Sequence, residues 1–195
     1  MMAGRSWIVG GGEVGRRLLG PGLLLAALLS SRATAAYAQA PANVAPGCGP
    51  GDASFDVQDG KSGGQETGPP AGKAVVYIIG YFNSAATKAT PTIRVGMDGA
   101  WIGATRHNSY VREEIETGTH HYCAQWQSRL KSLSSQTSLY NFVADPGRVY
   151  YLRAAAHSDA GVGGITFPYL ALEPVSEDEG RLLLSESVPA VSTAK

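Results

Sequence analysis

Three glycines near the start of the chain, Gly10, Gly12 and Gly15, complete a G-x-G-x-x-G behind Trp7, Ile8 and Val9. That spacing holds a dinucleotide pyrophosphate when a strand precedes it and an amphipathic helix follows. An acidic residue about 20 positions on then binds a ribose hydroxyl. Here Arg16 and Arg17 lead into Leu23–Leu29, apolar on every side, and no carboxylate stands between Glu13 and Asp52. A helix with no polar face cannot lie on a sheet with its other side in water. Nucleotide chemistry is excluded on this ground, and no cofactor is expected.

Metal or acid–base chemistry would fall to His107, His120, His121 and His157, and to Glu113, Glu114 and Glu116. His120 and His121 are adjacent, so on a strand they point to opposite faces and cannot both ligate one ion. No H-x-x-x-H or C-x-x-C occurs. Paired carboxylates do acid–base work when their surroundings push their pKa values apart. Beside a turn, three glutamates instead read as a solvated edge that discourages edge-to-edge pairing. Ser132, Ser134 and Ser135 lie in a polar stretch without a G-x-S-x-G elbow. No catalytic or metal-binding residue is assigned.

The glycines of the opening stretch fit an export signal. Arg5, Arg16 and Arg17 form a cationic front, and Leu18–Leu29 form an apolar core of about a dozen residues, short of the ~20 that span a bilayer. The small residues of "AYAQAP" place cleavage after Ala38, with Gln39 as the mature start. Residues 1–38 are read as the signal, the destination as periplasmic or extracellular, and the route, general or twin-arginine, is left open. An uncleaved leader would instead tether the protein to the membrane. In an oxidising compartment the two cysteines, Cys48 and Cys123, are expected to be bridged. "APGC" lacks the large apolar residue that precedes a lipid-modified cysteine.

The whole chain carries 16 basic and 16 acidic residues. Loss of residues 1–38 removes Arg5, Arg16, Arg17, Arg32 and Glu13, leaving 12 basic against 15 acidic and a net charge of −3. No basic stripe exists to neutralise phosphates, so nucleic acid is excluded as a partner.

The elements that must position any site are strands. Residues 39–72, rich in Gly, Pro and Ala, read as an irregular arm in which Phe55 and Val57 dock on the body. "KAVVYIIGYF" predicts a central strand over 74–81, apolar on both faces. Ile93, Val95 and Met97 alternate into Asp98-Gly99, a type I′ hairpin signal, with Trp101-Ile102 returning. "SYVREEI" and "HHYCAQWQS" predict a second hairpin through "ETGT". His120, Tyr122, Ala124 and Trp126 would share one face of its returning strand. "LYNFVA", "VYYLRAAA" and residues 165–173 predict further strands, the first two joined by an Asp145-Pro146-Gly147 turn. Ser176 stands three residues before Glu179, a capping-box spacing, so a short helix follows, weakened at Gly180 by about 1 kcal/mol. Residues 185–195 read as a frayed tail. About seven short strands and one terminal helix over 73–184 predict an all-β fold, a sandwich or partly open barrel.

The ordered motifs "GPPAGKAVVYII", "IRVGMDGAWIGATRHNSYVREEIETGTHHYCAQWQ", "FVADPGRVYYLRA" and "LEPVSEDEGRLLL" resemble domain-of-unknown-function family 2846. That family consists of exported bacterial proteins, often with a lipoprotein signal. Pro70 through Tyr77 correspond to its opening Pro-x-Gly-Lys-Ala-x-Val-Tyr. Asp98, Gly99, Ile102 and Gly103 match its Asp-Gly and Ile-Gly, and Gly147, Tyr150, Tyr151 and Arg153 its Gly-x-x-Tyr-Tyr-x-Arg. The resemblance spans about Cys48 to Leu184 and implies a PEGA-type, prealbumin-like sandwich; it brings no activity and no functional residues.

Tyr110, Tyr122, Trp126, Tyr150 and Tyr151 sit on strands expected to be neighbours. They read first as core residues; lining one exposed face, they would instead stack on a sugar or anchor a protein. The expectation is an exported, non-catalytic sandwich that binds or scaffolds at the bacterial cell envelope, with an envelope protein or polysaccharide as partner and the oligomeric state open. The alternative is an envelope hydrolase with its site on Ser84–Pro91 or Arg129–Thr137.

Overall fold

The computed structural model describes residues 48–61, 66–82, 91–160 and 166–195. The expected leader and cleavage site, residues 39–47 and 62–65 of the arm, most of the Ser84–Pro91 loop and residues 161–165 lie outside the described residues.

Ten strands form two packed sheets. They are β1 (Phe55–Asp59), β2 (Ala74–Phe82), β3 (Thr92–Met97), β4 (Ala100–Thr105), β5 (Ser109–Ile115), β6 (Gly118–Gln127), β7 (Thr137–Ala144), β8 (Val149–Ala160), β9 (Thr166–Pro174) and β10 (Val188–Ala194). The helices are α1 (Lys131–Ser134) and α2 (Glu177–Ser185). The larger sheet runs β1-β10-β5-β2-β8-β9 and the smaller β4-β3-β6-β7. The all-β, sandwich-like class read from the turn spacing holds.

β2 is central, as its two apolar faces require. Every residue of it but Tyr81 is buried. It pairs antiparallel with β5 and parallel with β8. Val76 and Ile78 face the smaller sheet, meeting Ile93, Val95, Tyr122 and Ala124 in the inter-sheet core. Val75, Tyr77 and Ile79 face the other way, under Leu183 and Leu184 of α2. Each fully buried Val, Ile or Leu stabilises the fold by roughly 1.5–3 kcal/mol.

The β3–β4 hairpin turns as its sequence demands, with φ of 51° at Asp98 and 87° at Gly99. The second hairpin does not form. β5 pairs with β2 and β10, whereas β6 pairs with β3 and β7, so the link at Glu116–Thr117 crosses between sheets. Both strands carry apolar residues on one face, interrupted on β5 by Glu113. Val111 and Ile115 bury it against Tyr122, Ala124 and Trp126 by stacking layer on layer, which edge pairing would not achieve.

The tail is also corrected. β10 pairs antiparallel with β1, Phe55 opposite Ala194 through Asp59 opposite Ala190, and bridges to β5 at Val188 and Pro189. Ser192 and Thr193 hide this strand from an apolar count, because its order comes from backbone ladders. With β1 in place the arm is not wholly irregular, and Val57 docks as expected, with Phe55 half-buried.

The N-cap half of the expected box forms, with Glu179 N donating to Ser176 Oγ at 3.2 Å, while the Glu179 carboxylate accepts from Arg153 at 2.6 Å. Glu177, Asp178 and Glu179 complement the helix dipole in the first turn of α2.

The arm is fastened to the outer face of the smaller sheet. Cys48 and Cys123 form a disulfide with a Cα separation of 5.2 Å. Buried Arg94 donates to the carbonyls of Gly51 and Ala53 and to Gln125 Oε1, and its guanidinium lies 4.5 Å from the Trp101 ring centre. Trp101 Nε1 donates to Pro50 O at 2.6 Å. Gln127 imitates a strand neighbour, accepting from Phe55 N at 2.7 Å and donating to Phe55 O at 2.8 Å.

Candidate docking site at the open side of the sandwich

A sandwich has two open sides, and here they differ. On the β4 side, Ser192 closes the gap by accepting from Ala104 N and donating to Ala104 O, both at 2.9 Å. On the β7 side the closure is partial. Ser138 Oγ accepts from Leu172 N at 2.9 Å, and Gln136 links Trp126 Nε1, at 3.1 Å, to Pro168 O, at 3.0 Å. Beyond this pinch the sheets splay around a cavity of about 230 Å³. Tyr140, Phe142, Tyr150, Leu152, Pro174 and Val175 are among its walls.

The walls are preorganised. Phe142 lies 4.5 Å from Tyr150 between ring centres, and 5.8 and 6.0 Å from Tyr122 and Tyr140. The Tyr150 hydroxyl accepts from Asp145 N at 2.9 Å and so holds the turn into β8. That turn needs Gly147, whose φ is 75°. On the outer face of β7, Leu139 and Val143 are 52% and 63% exposed. A second hollow of about 330 Å³, lined by His121, Tyr122, Leu139, Tyr140 and Asn141, lies beside them.

The four sheet edges are not equally guarded. β4 is covered by β10 and β1. β1 is five residues long and carries Asp56 and Asp59. β9 contains Pro168 and Pro174. β7, "TSLYNFVA", has no charge, proline or glycine. Short strands, charges and prolines are the usual defences against unwanted strand pairing, and β7 has none of them.

Of the two readings of the five aromatics, core holds for four, and no exposed aromatic face forms from them. Tyr110, Tyr122, Trp126 and Tyr151 are all buried. Tyr122 and Trp126 belong to the inter-sheet core. Tyr110 and Tyr151 pack around Tyr77 beneath α2, at 5.6 and 5.7 Å between centres. Alternation placed Tyr122 and Trp126 on one face of β6, and the packing of the two layers makes that face the inner one. Of the five, Tyr150 and the buried Tyr151 line the cavity. Tyr140 and Phe142, with Leu139 and Val143, complete the site. Their signal was the apolar character of "LYNFVA" on both faces of an edge strand.

Burial pushes the Tyr122 hydroxyl far above the ordinary phenol range, so the group beneath the site is neutral. Desolvation also raises the Glu113 carboxyl. Glu114 and Glu116 are instead ion-paired, to Arg112 at 3.0 Å and Lys73 at 2.9 Å. His120 Nδ1 meets Asp98 Oδ2 at 2.7 Å, and His121 N donates to Asp98 Oδ1 at 2.8 Å. His107 Nδ1 accepts from Phe82 N at 3.0 Å, and His157 stacks on Tyr169 at 5.1 Å. Among the described residues no three His, Cys, Asp or Glu side chains are placed to hold a metal. In the Arg129–Thr137 stretch, Lys131–Ser134 form α1, and Ser134 Oγ donates to the Lys131 carbonyl at 3.4 Å. No described helix is long and apolar enough to cross a membrane.

Compared with known proteins, the chain matches no family model, no curated protein and no solved structure.

Proposed function

We propose that this protein is an exported, non-catalytic domain that binds or scaffolds at the bacterial cell envelope, using the open side of its sandwich. It would belong with the exported family that its ordered motifs resemble. One observation carries the reading: β7 is an unguarded edge set directly beside a preformed aromatic cavity. A strand laid along β7 would gain backbone hydrogen bonds and place alternate side chains against Tyr140, Phe142 and Tyr150. The cationic, leucine-rich leader and the disulfide support export.

Capture from envelope extract tests this, with protein and polysaccharide fractions assayed separately against wild type and Val143→Lys. Val143 is exposed, so the variant keeps the fold and charges the edge. Capture of an envelope protein that falls at least tenfold in the variant is expected. Capture that is equal for both proteins overturns the reading. Capture confined to the polysaccharide fraction replaces the strand partner with a sugar stacked in the cavity.

A further inference from the structure

We infer that β7 pairs with β7 of a second copy of this chain, antiparallel, about a two-fold axis through Asn141. The inference rests on the reading of β7 as a docking edge: a second copy holds it in the free protein, and an envelope strand would have to displace that copy.

Self-pairing must match faces. Burial alternates along β7: Leu139, Asn141 and Val143 are exposed, while Tyr140 and Phe142 are half-buried on the other face. A two-fold placed between residues sets an outward side chain opposite an inward one, which a pleated ladder forbids. An axis through Tyr140 puts Leu139 opposite Asn141 and Phe142 opposite Ser138. An axis through Phe142 puts Leu139 opposite Asp145. The axis through Asn141 alone matches every pair: Leu139 faces Val143 of the second copy, Tyr140 faces Phe142, and the two Asn141 amides meet, each able to donate and accept.

Charge agrees with this arrangement. Arg129 and Lys131 precede β7 and Asp145 follows it, all three exposed and none in an ion pair among the described residues. A two-fold brings the basic end of one strand beside the acidic end of the other, so the charges are complementary to a second copy. Arg148 lies further along the turn, on the cavity side near Glu177. The pinch at Ser138 leaves 139–143 as the free stretch, five residues in which all the matched pairs fall. The product is a continuous eight-stranded sheet, β4-β3-β6-β7 joined to its symmetry mate. Its interface is small, so association is expected in the ~micromolar range.

Sedimentation velocity of the chain, purified after expression with its leader, tests the pairing. The wild type should pass from one to two copies as concentration rises. Asn141→Lys sets two like charges across the axis and should weaken association about tenfold or more. Asn141→Glu should do the same, and mixing the two variants should restore the dimer. Retained dimerisation in both single variants, or a wild type monomeric to ~1 mM, overturns the inference. A monomeric wild type that still loses envelope capture on Val143→Lys sinks the dimer and spares the docking edge. A dimer that captures nothing sinks the envelope partner and spares the pairing.

Discussion

Gly180 of α2 lies against the ring of Tyr151 on β8, so close that a β-carbon there would stand 2.6 Å from Tyr151 Cβ. Real β-carbons do not approach within 3.0 Å. The helix can cover Tyr77 and Tyr151 only because this position has no side chain. Propensity and packing therefore predict opposite signs for Gly180→Ala. The substitution gains up to about 1 kcal/mol as helix former but meets an overpacked contact that costs about 1–3 kcal/mol. Net destabilisation of about 1–2 kcal/mol is expected in urea titration, and a stabilised variant would show that α2 is not seated on Tyr151.

The Cys48–Cys123 bridge closes a loop across 75 positions. In the chain-entropy account, a loop of that length removes about 4–5 kcal/mol of freedom from the unfolded chain. The double variant Cys48→Ser/Cys123→Ser should lose that amount, less whatever Arg94, Trp101 and Gln127 retain by holding the arm themselves. Proteolysis should then cut first within 48–54, before the sheets. Denatured, unreduced wild type should titrate no free thiol with Ellman's reagent, and two thiols per chain would refute the bridge.

Glu113 alternates with Val111 and Ile115 on the inter-sheet face of β5, half-buried and without an ion pair among the described residues. Burial raises its carboxyl above the reference value of 4.5. A raised carboxyl penalises the fold as pH climbs from the unfolded value through the folded one, and the penalty is complete above it. Glu113→Gln should therefore be more stable than wild type at pH 7, with the advantage vanishing below about pH 4.5. Chemical denaturation at pH 7 and pH 4 reads this out. An advantage that is larger at pH 4 would contradict the burial of the carboxylate.

Local chemistry made much of this fold legible. β2 announces a central strand by being apolar on both faces, Asp98-Gly99 announces its turn, and Ser176 announces the cap of α2. What could not be read is which strands share a sheet. The alternation on β5 and β6 serves a hairpin and a cross-layer stack equally well, and only the empty edge of β2 decides. β10 was illegible for a related reason, since its main partner, β1, lies more than 100 residues away. The aromatics were legible as a group, but their side of the sheet was not. Tyr122 and Trp126 went inward with the core, while the opening fell to Tyr140 and Phe142, residues whose strand shows no clean polar face.

The ladder between β1 and β10 sets the timetable of assembly. The strand that begins at Phe55 has its full-length neighbour only in residues 190–194, and the clasp on β4 waits for Ser192. A growing polypeptide cannot finish either sheet margin before those last residues exist, and contacts of such long sequence range form slowly. The newly made chain consequently stays open along both margins until its final residues are supplied.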